Sequence, residues 1–355
     1  MIAEARDERA GAETPSLRAR LTTLPILYQW GAGLASIVVV SLVCLAVWGP
    51  EMEFPTTVST SEVPTDGGGS ITLKKSVRQV TGTWIDDRVD WLTREADWMF
   101  GGLSSAVAYS LVFIEDTLKW VPWPVIIVGL ALISYAVGRW LLAAFTTGAM
   151  LYFGFMGLWE NTIDTIALMV VAVVISVAIG LPIGVIASRN RLVDNIIRPI
   201  LDAMQTMPSF VYLLPGVLFF GLGAPAGVFA TIIYAVPPVI RLTNLGIRQV
   251  STEVVEAARS FGSSPFQLLT KVQIPMALPT IMAGINQTTM MALAMVTIAS
   301  MVAAGGLGDN VLRALQKNQP GNGAIAGISI VFLAIIIDRL TQSVARTQED
   351  TRSVG

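Results

Sequence analysis

The 355-residue chain is 53% hydrophobic and 14% charged, where soluble domains carry about 25% charged residues. That balance excludes an ordinary soluble fold and predicts an integral membrane protein. With no histidine, one cysteine (Cys44) and a net charge of −2, the chain also excludes His-dependent nucleophilic catalysis, His-ligated metals, disulfides within the chain, iron–sulfur clusters and a nucleic-acid footprint. No catalytic residue and no metal site is expected. Transport, signalling across a bilayer, scaffolding and membrane-embedded carboxylate chemistry remain.

Residues 1–20 hold Arg6, Arg9, Arg18 and Arg20 and read as a cytoplasmic tail. The apolar run 21–50 follows, too long for a signal-peptide core and with no cleavage site after it, so a retained transmembrane anchor is expected. Cys44 lies inside that run as a small apolar side chain. Residues 51–119 form an extracytoplasmic segment. Its Pro55, Pro64 and Thr65-Asp66-Gly67-Gly68-Gly69-Ser70 suggest a flexible linker. Beyond it Trp84, Ile85, Val89, Leu92, Ala96 and Met99 recur at helical spacing among charged residues, predicting an amphipathic interfacial helix that carries Trp84, Trp91 and Trp98. The apolar stretch 98–114 is short, contains Gly101-Gly102, and is expected to stay at the interface.

Apolar runs at 120–138, 140–159 and 165–188 each match a span. The run 203–240 is too long for one helix and is broken by Gly221, Gly223, Pro225 and Gly227, predicting a hairpin of helices near 207–222 and 226–240. In 272–308, Pro275 and Pro279 punctuate the start, so a span at 279–303 is expected, then a Gly305-Gly306-Leu307-Gly308 turn. A last span covers 318–337, leading to a cytoplasmic tail at 346–355. With the anchor this makes an all-α polytopic protein of about eight transmembrane helices. Both termini then lie in the cytoplasm, which puts most Lys and Arg inside.

Gly67-Gly68-Gly69-Ser70 lacks the Gly-Lys-Ser/Thr ending of a phosphate loop, so the chain carries no nucleotide site of its own. The cytoplasmic loop 241–278 is the informative segment. Ser251 is a candidate N-cap, and Val254, Val255, Ala258 and Phe261 form an apolar face before a Gly262 stop. Ser264-Pro265 starts a second helix that ends near Pro275. Two short helices joined by a glycine turn, between two spans, form a rigid contact for a cytoplasmic partner.

Glu256-Ala257-Ala258, then Gly262, then Val272-Gln273-Ile274-Pro275 resembles the EAA loop of ABC importer permeases, with Val272 and Ile274 as conservative departures. The run from Arg198 through Leu213 resembles the permeases of glycine betaine/proline betaine importers. So do the segments 257–265, 279–287 and 298–301; the likeness covers roughly 80–345.

The resemblance implies a type I ABC importer permease domain at 120–345 in a bacterial inner membrane. Its coupling residues would be Glu256, Ala257, Ala258, Gly262 and Pro275. Its partners would be two copies of an ATP-binding subunit that uses ATP and Mg, a second copy of this chain, and an extracytoplasmic solute-binding protein. No cofactor would bind this chain. Candidate path residues are Met204, Gln205, Thr206, Phe210, Tyr212, Asn286, Gln287 and Thr288. A betaine is net neutral, and the charge-free 272–308 run suits its passage. The alternatives are an ion-coupled secondary carrier, which has no need of the EAA loop, and a membrane scaffold whose loop recruits a cytoplasmic protein.

Overall fold

A computed structural model describes Val39, residues 57–64 and residues 70–353, with side chains over 76–342. The expected anchor at 21–50 and the tail at 1–20 lie outside the described residues, apart from Val39. The chain divides into two compact units, 1–88 and 89–355.

In the first unit, β1 (Thr57–Pro64) and β2 (Ser70–Ser76) form an antiparallel pair with Ser61 opposite Leu73 and Val63 opposite Ile71. Both segments are rich in Thr, Ser and β-branched residues, which suit a pleated strand; residues 65–69 of the expected linker lie outside the described residues. Helix α1 (Val77–Glu95) follows directly, its residues 89–95 belonging to the second unit. Ser76 and Gln79 cap its start reciprocally, at 3.1 and 3.2 Å. The pattern expected as one helix from Trp84 to Met99 is divided: α1 ends at Glu95, and Trp98 and Met99 fall in the helix that begins at Asp97. None of the residues of α1 is buried.

In the second unit, α2 (Asp97–Trp120) is one helix long and apolar enough to cross a bilayer. It runs straight through Glu115 and Asp116, where the interfacial reading of 98–114 ended the apolar run. Lys119 in its last turn pairs with Asp164 at 3.0 Å. Next comes α3 (Trp123–Phe155), interrupted at Gly138 and Arg139, the latter at φ 58°. The Ser134 and Thr146 hydroxyls meet at 2.9 Å across that break, whereas twelve residues of straight helix would part them by about 18 Å. The runs expected as spans 120–138 and 140–159 are thus two arms of one hairpin. Each arm rises about 23 Å, short of the roughly 30 Å of hydrocarbon.

The core is built on α4 (Trp159–Arg189), α7 (Ala224–Arg248) and α10 (Ile274–Ala299). In lipid, close packing replaces the hydrophobic drive, and small residues allow it. At Gly184 of α4 a Cβ would stand 2.8 Å from the Ile240 carbonyl and 2.6 Å from the Thr243 Cβ of α7, so only glycine fits. Between α4 and α7 run α5 (Arg191–Thr206), a 3-10 turn at Ser209–Tyr212 and α6 (Leu213–Phe220). The chain bends by 109° between α5 and the rest, where Pro208 has no N–H with which to continue the helix.

The hairpin expected at 207–222 and 226–240 is corrected accordingly. Its first arm is a short bent segment, and its second reaches Arg248, carrying Pro237 and Pro238 inside it. The chain closes with α8 (Thr252–Ser260), α9 (Pro265–Gln267), α10, α11 (Leu307–Gln316) and α12 (Pro320–Ser353). Among the described residues six helices, with the broken α3 counted as one, have the length and composition of a span, or up to seven if the bent segment counts as one.

Candidate coupling site between α7 and α10

Helix α8 begins after Ser251, whose backbone is extended at φ −57° and ψ 139°, but its hydroxyl makes no cap bond. Its far end is closed by backbone alone. Gly262 at φ 79° donates to the Arg259 carbonyl at 2.9 Å, and Ser263 donates to Ala258 at 3.1 Å. That pairing is a Schellman end, which needs a left-handed residue at the glycine position. The next start is a full capping box. The Ser264 N–H donates to Gln267 Oε1 at 2.9 Å, and the Gln267 N–H donates to Ser264 Oγ at 3.3 Å, with Pro265 in the first turn.

The second helix does not stop near Pro275. Through a π-helical stretch, Leu268–Gln273, it runs unbroken into α10, giving one apolar helix over Pro265–Val302. The Ile274 N–H bonds to Leu269, one residue further back than in an α-helix. That wider turn leads the chain into Pro275, whose ring would otherwise crowd a carbonyl in the preceding turn.

The turn projects outward. Phe261 is 91% and Phe266 74% exposed, one on each side of Gly262. Glu256 and Ala257 are exposed and Ala258 is half-buried; the Glu256 carboxylate has no partner among the described residues. Behind α8 an open cavity of about 410 Å³ is lined by Ser188, Arg189, Arg248, Glu256, Arg259 and Gln273.

A polar cluster not foreseen from the sequence anchors this region. Asp194, at the start of α5 and only 3% exposed, accepts from Arg198 at 2.9 Å and from Asn244 at 2.7 Å, and pairs with Arg248 at 3.1 Å. Burial pushes its carboxyl up, but the Arg198 and Asn244 hydrogen bonds and the charges of Arg248 and Arg198 outweigh that and hold it below the ordinary carboxylate value. Arg248 also donates to the Ala187 carbonyl at 2.7 Å, and Arg189 donates to the Pro265 carbonyl at 3.0 Å. The available sequence signal was i,i+4 spacing, Asp194 with Arg198 on α5 and Asn244 with Arg248 on α7.

The path candidates do not share one wall. Gln205, Thr206 and Phe210 are exposed, and Met204 is half-buried. Tyr212 is buried, with its hydroxyl donating to the Met204 carbonyl at 2.6 Å. Asn286, Gln287 and Thr288 point to three directions about 100° apart, as successive helix positions must. Asn286 bonds Asp338 at 3.1 Å and accepts from Thr341, Gln287 is exposed, and Thr288 is fully buried.

Residues 180–349 match the family model of the binding-protein-dependent transport system inner membrane component. The chain is 46% identical over 273 residues to the glycine betaine/proline betaine transport system permease protein ProW of Escherichia coli (strain K12), covering 77% of this chain and 76% of that one. The chain belongs to this family. It is the membrane-spanning permease subunit of a binding-protein-dependent importer, located in the inner membrane. The permease is also 46% identical over 269 residues to the glycine betaine/carnitine transport permease protein GbuB of Listeria monocytogenes, covering 74% of this chain and 94% of that one. Among solved structures it is similar to a chain of the inward-facing MetNI methionine ABC transporter, with TM-score 0.49 and 22% identity over 52% of this chain and 93% of that one. The family match covers α8 and its Glu256-Ala257-Ala258 sequence.

Proposed function

We propose that this permease imports betaine-type quaternary ammonium solutes, and that the turn between α8 and α9 is its contact with a cytoplasmic ATPase. The single supporting observation is the projecting turn itself. Two capped helices meet at Gly262, expose Phe261 and Phe266, and lead without a break into α10. Such a turn is stiff and apolar at its tip, as a force-bearing contact requires.

In this reading two ATP-binding subunits, which hold ATP and Mg, seat one coupling turn from each of two permease copies. Closure of the ATPase pair draws the turns together and tilts the attached helices. Glu256 offers the ATPase a charged contact, and Ala257 and Ala258 permit close approach. Gly262 and Pro275 fix the geometry of the two helices. The 241–278 loop and the termini face the cytoplasm, with 51–119 outside, 120–345 as the transport domain and 346–355 as a cytoplasmic tail.

Met204, Gln205, Thr206, Phe210 and Gln287 offer side chains to the path. Tyr212, Asn286 and Thr288 support it from the packed side. The solute class follows the names of the relatives and the low fixed charge of 272–308. A net-neutral betaine passes such a path without being trapped, and an extracytoplasmic binding protein supplies most of the selectivity. An ion-coupled carrier would need midplane ion ligands, and the 203–240 stretch of the sequence has no acidic residue.

The test is purification from native membranes in mild detergent. A stoichiometric ATP-binding subunit is expected. Gly262→Pro, which cannot hold a positive φ, should abolish glycine betaine uptake while the chain still inserts. Preserved uptake would sink the coupling role, and a homo-oligomer with no ATPase would favour the carrier.

A further inference from the structure

We infer that Asp194 is a positioning residue that ties α5, and through it the bent α5–α6 segment, to the coupling turn, so that displacement of the turn moves the 207–222 segment together with α7 and α10. The inference rests on the coupling role proposed for α8.

Both ends of the turn are hydrogen-bonded to the last residues of α4. On the α7 side, Arg248 donates to the Ala187 carbonyl at 2.7 Å; on the α9 side, Arg189 donates to the Pro265 carbonyl at 3.0 Å. Arg248 also faces Asp194 at 3.1 Å, and Asn244, which receives a 2.8 Å bond from Arg248, donates to Asp194 at 2.7 Å. One guanidinium at the root of the turn therefore joins α4, α5 and α7.

Asp194 has no substitute partner in water, because it is buried. Drawing α7 away from α5 would strip the buried carboxylate of Arg248 and Asn244 and leave it Arg198 alone, at a higher cost than moving the two helices together. The exposed Asp202–Arg241 pair, at 2.5 Å, is a weaker second tie. Apolar packing of Leu201 against Val236, Val239 and Ile240 fills the space between. At the other end of α5, Tyr212 holds the bend to Met204, so the following segment cannot swing freely.

The experiment uses the complete transporter in liposomes, with its ATPase and binding protein, and reads glycine betaine transported per ATP hydrolysed. Asp194→Asn should lower that ratio by about 2- to 30-fold, the range that contacts in coupling networks carry, with the ATPase still copurifying. Asp194→Glu should recover part of the loss. Arg198→Gln removes only the partner that α5 supplies to itself and should leave the ratio at the wild-type value. If Asp194→Asn does not assemble, Asn244→Ser takes its place, since it removes an inter-helix donor and spares both arginines. An unchanged ratio in Asp194→Asn or its replacement, or an equal fall in Arg198→Gln, would overturn the inference. Failure of the coupling role itself reads differently: no ATPase would copurify with the wild-type chain.

Discussion

The Tyr212 hydroxyl donates to the Met204 carbonyl at 2.6 Å, across the 109° bend between α5 and the segment that follows. Eight residues apart, the pair closes the bend from inside, where the Tyr212 ring also lies 6.2 Å from Tyr234. A buried aromatic with a satisfied hydroxyl fixes an angle that backbone bonds alone leave open.

Tyr212→Phe keeps the ring and removes the bond, so stability should fall by about 1 kcal/mol. Thermal unfolding of the detergent-purified complex reads the loss. An unshifted midpoint would mean that the bend is held by other contacts.

Phe261 and Phe266 project to solvent, so changing them should cost the chain itself little. Phe261→Asp combined with Phe266→Asp should leave expression and the melting midpoint near wild type and release the ATPase on mild-detergent purification. Retention of the ATPase would show that the turn is not its seat.

Gly184→Val places a branched side chain where even a Cβ meets the Ile240 carbonyl at 2.8 Å. Forcing α4 from α7 should cost about 1–3 kcal/mol, the usual scale for an overpacked contact. Gly129→Val, with open space around the added Cβ, should be close to neutral in the same unfolding assay.

Asp194 is held below its ordinary carboxylate value, so the sign of its pH dependence is fixed. Its contribution to stability is complete above the unfolded value, near pH 4, and is lost as pH falls through the lower folded value. Between pH 5 and 8 this group should add no slope to unfolding curves. Asp194→Asn should flatten the acid limb below about pH 4 relative to wild type; an identical acid limb would contradict the buried ion pair.

The helical membrane architecture was legible in the sequence because apolar runs and their glycine and proline breaks are local signals. The turn at Gly262 was legible for the same reason: Ser264-Pro265 and Gly262 prescribe a cap and a left-handed end regardless of what surrounds them. The path through Pro275 was not. Whether a proline ends a helix or rides in it depends on the preceding turn, and a π-helical stretch leaves no mark in composition. The Ser134–Thr146 contact that folds α3 back on itself and the Asp194 cluster were hidden for another reason. Each is a pairing across sequence distance, and charge or polarity at one position does not announce its partner.

The apolar helix from Pro265 to Val302 is continuous through its π-helical stretch, so the turn's second helix and the membrane-crossing part share one backbone. That helix is gripped near its middle, where an added Cβ at Gly284 would lie 3.3 Å from the Pro238 carbonyl. A tilt of the helix about that grip would carry Phe266 and Met301, at its two ends, in opposite directions.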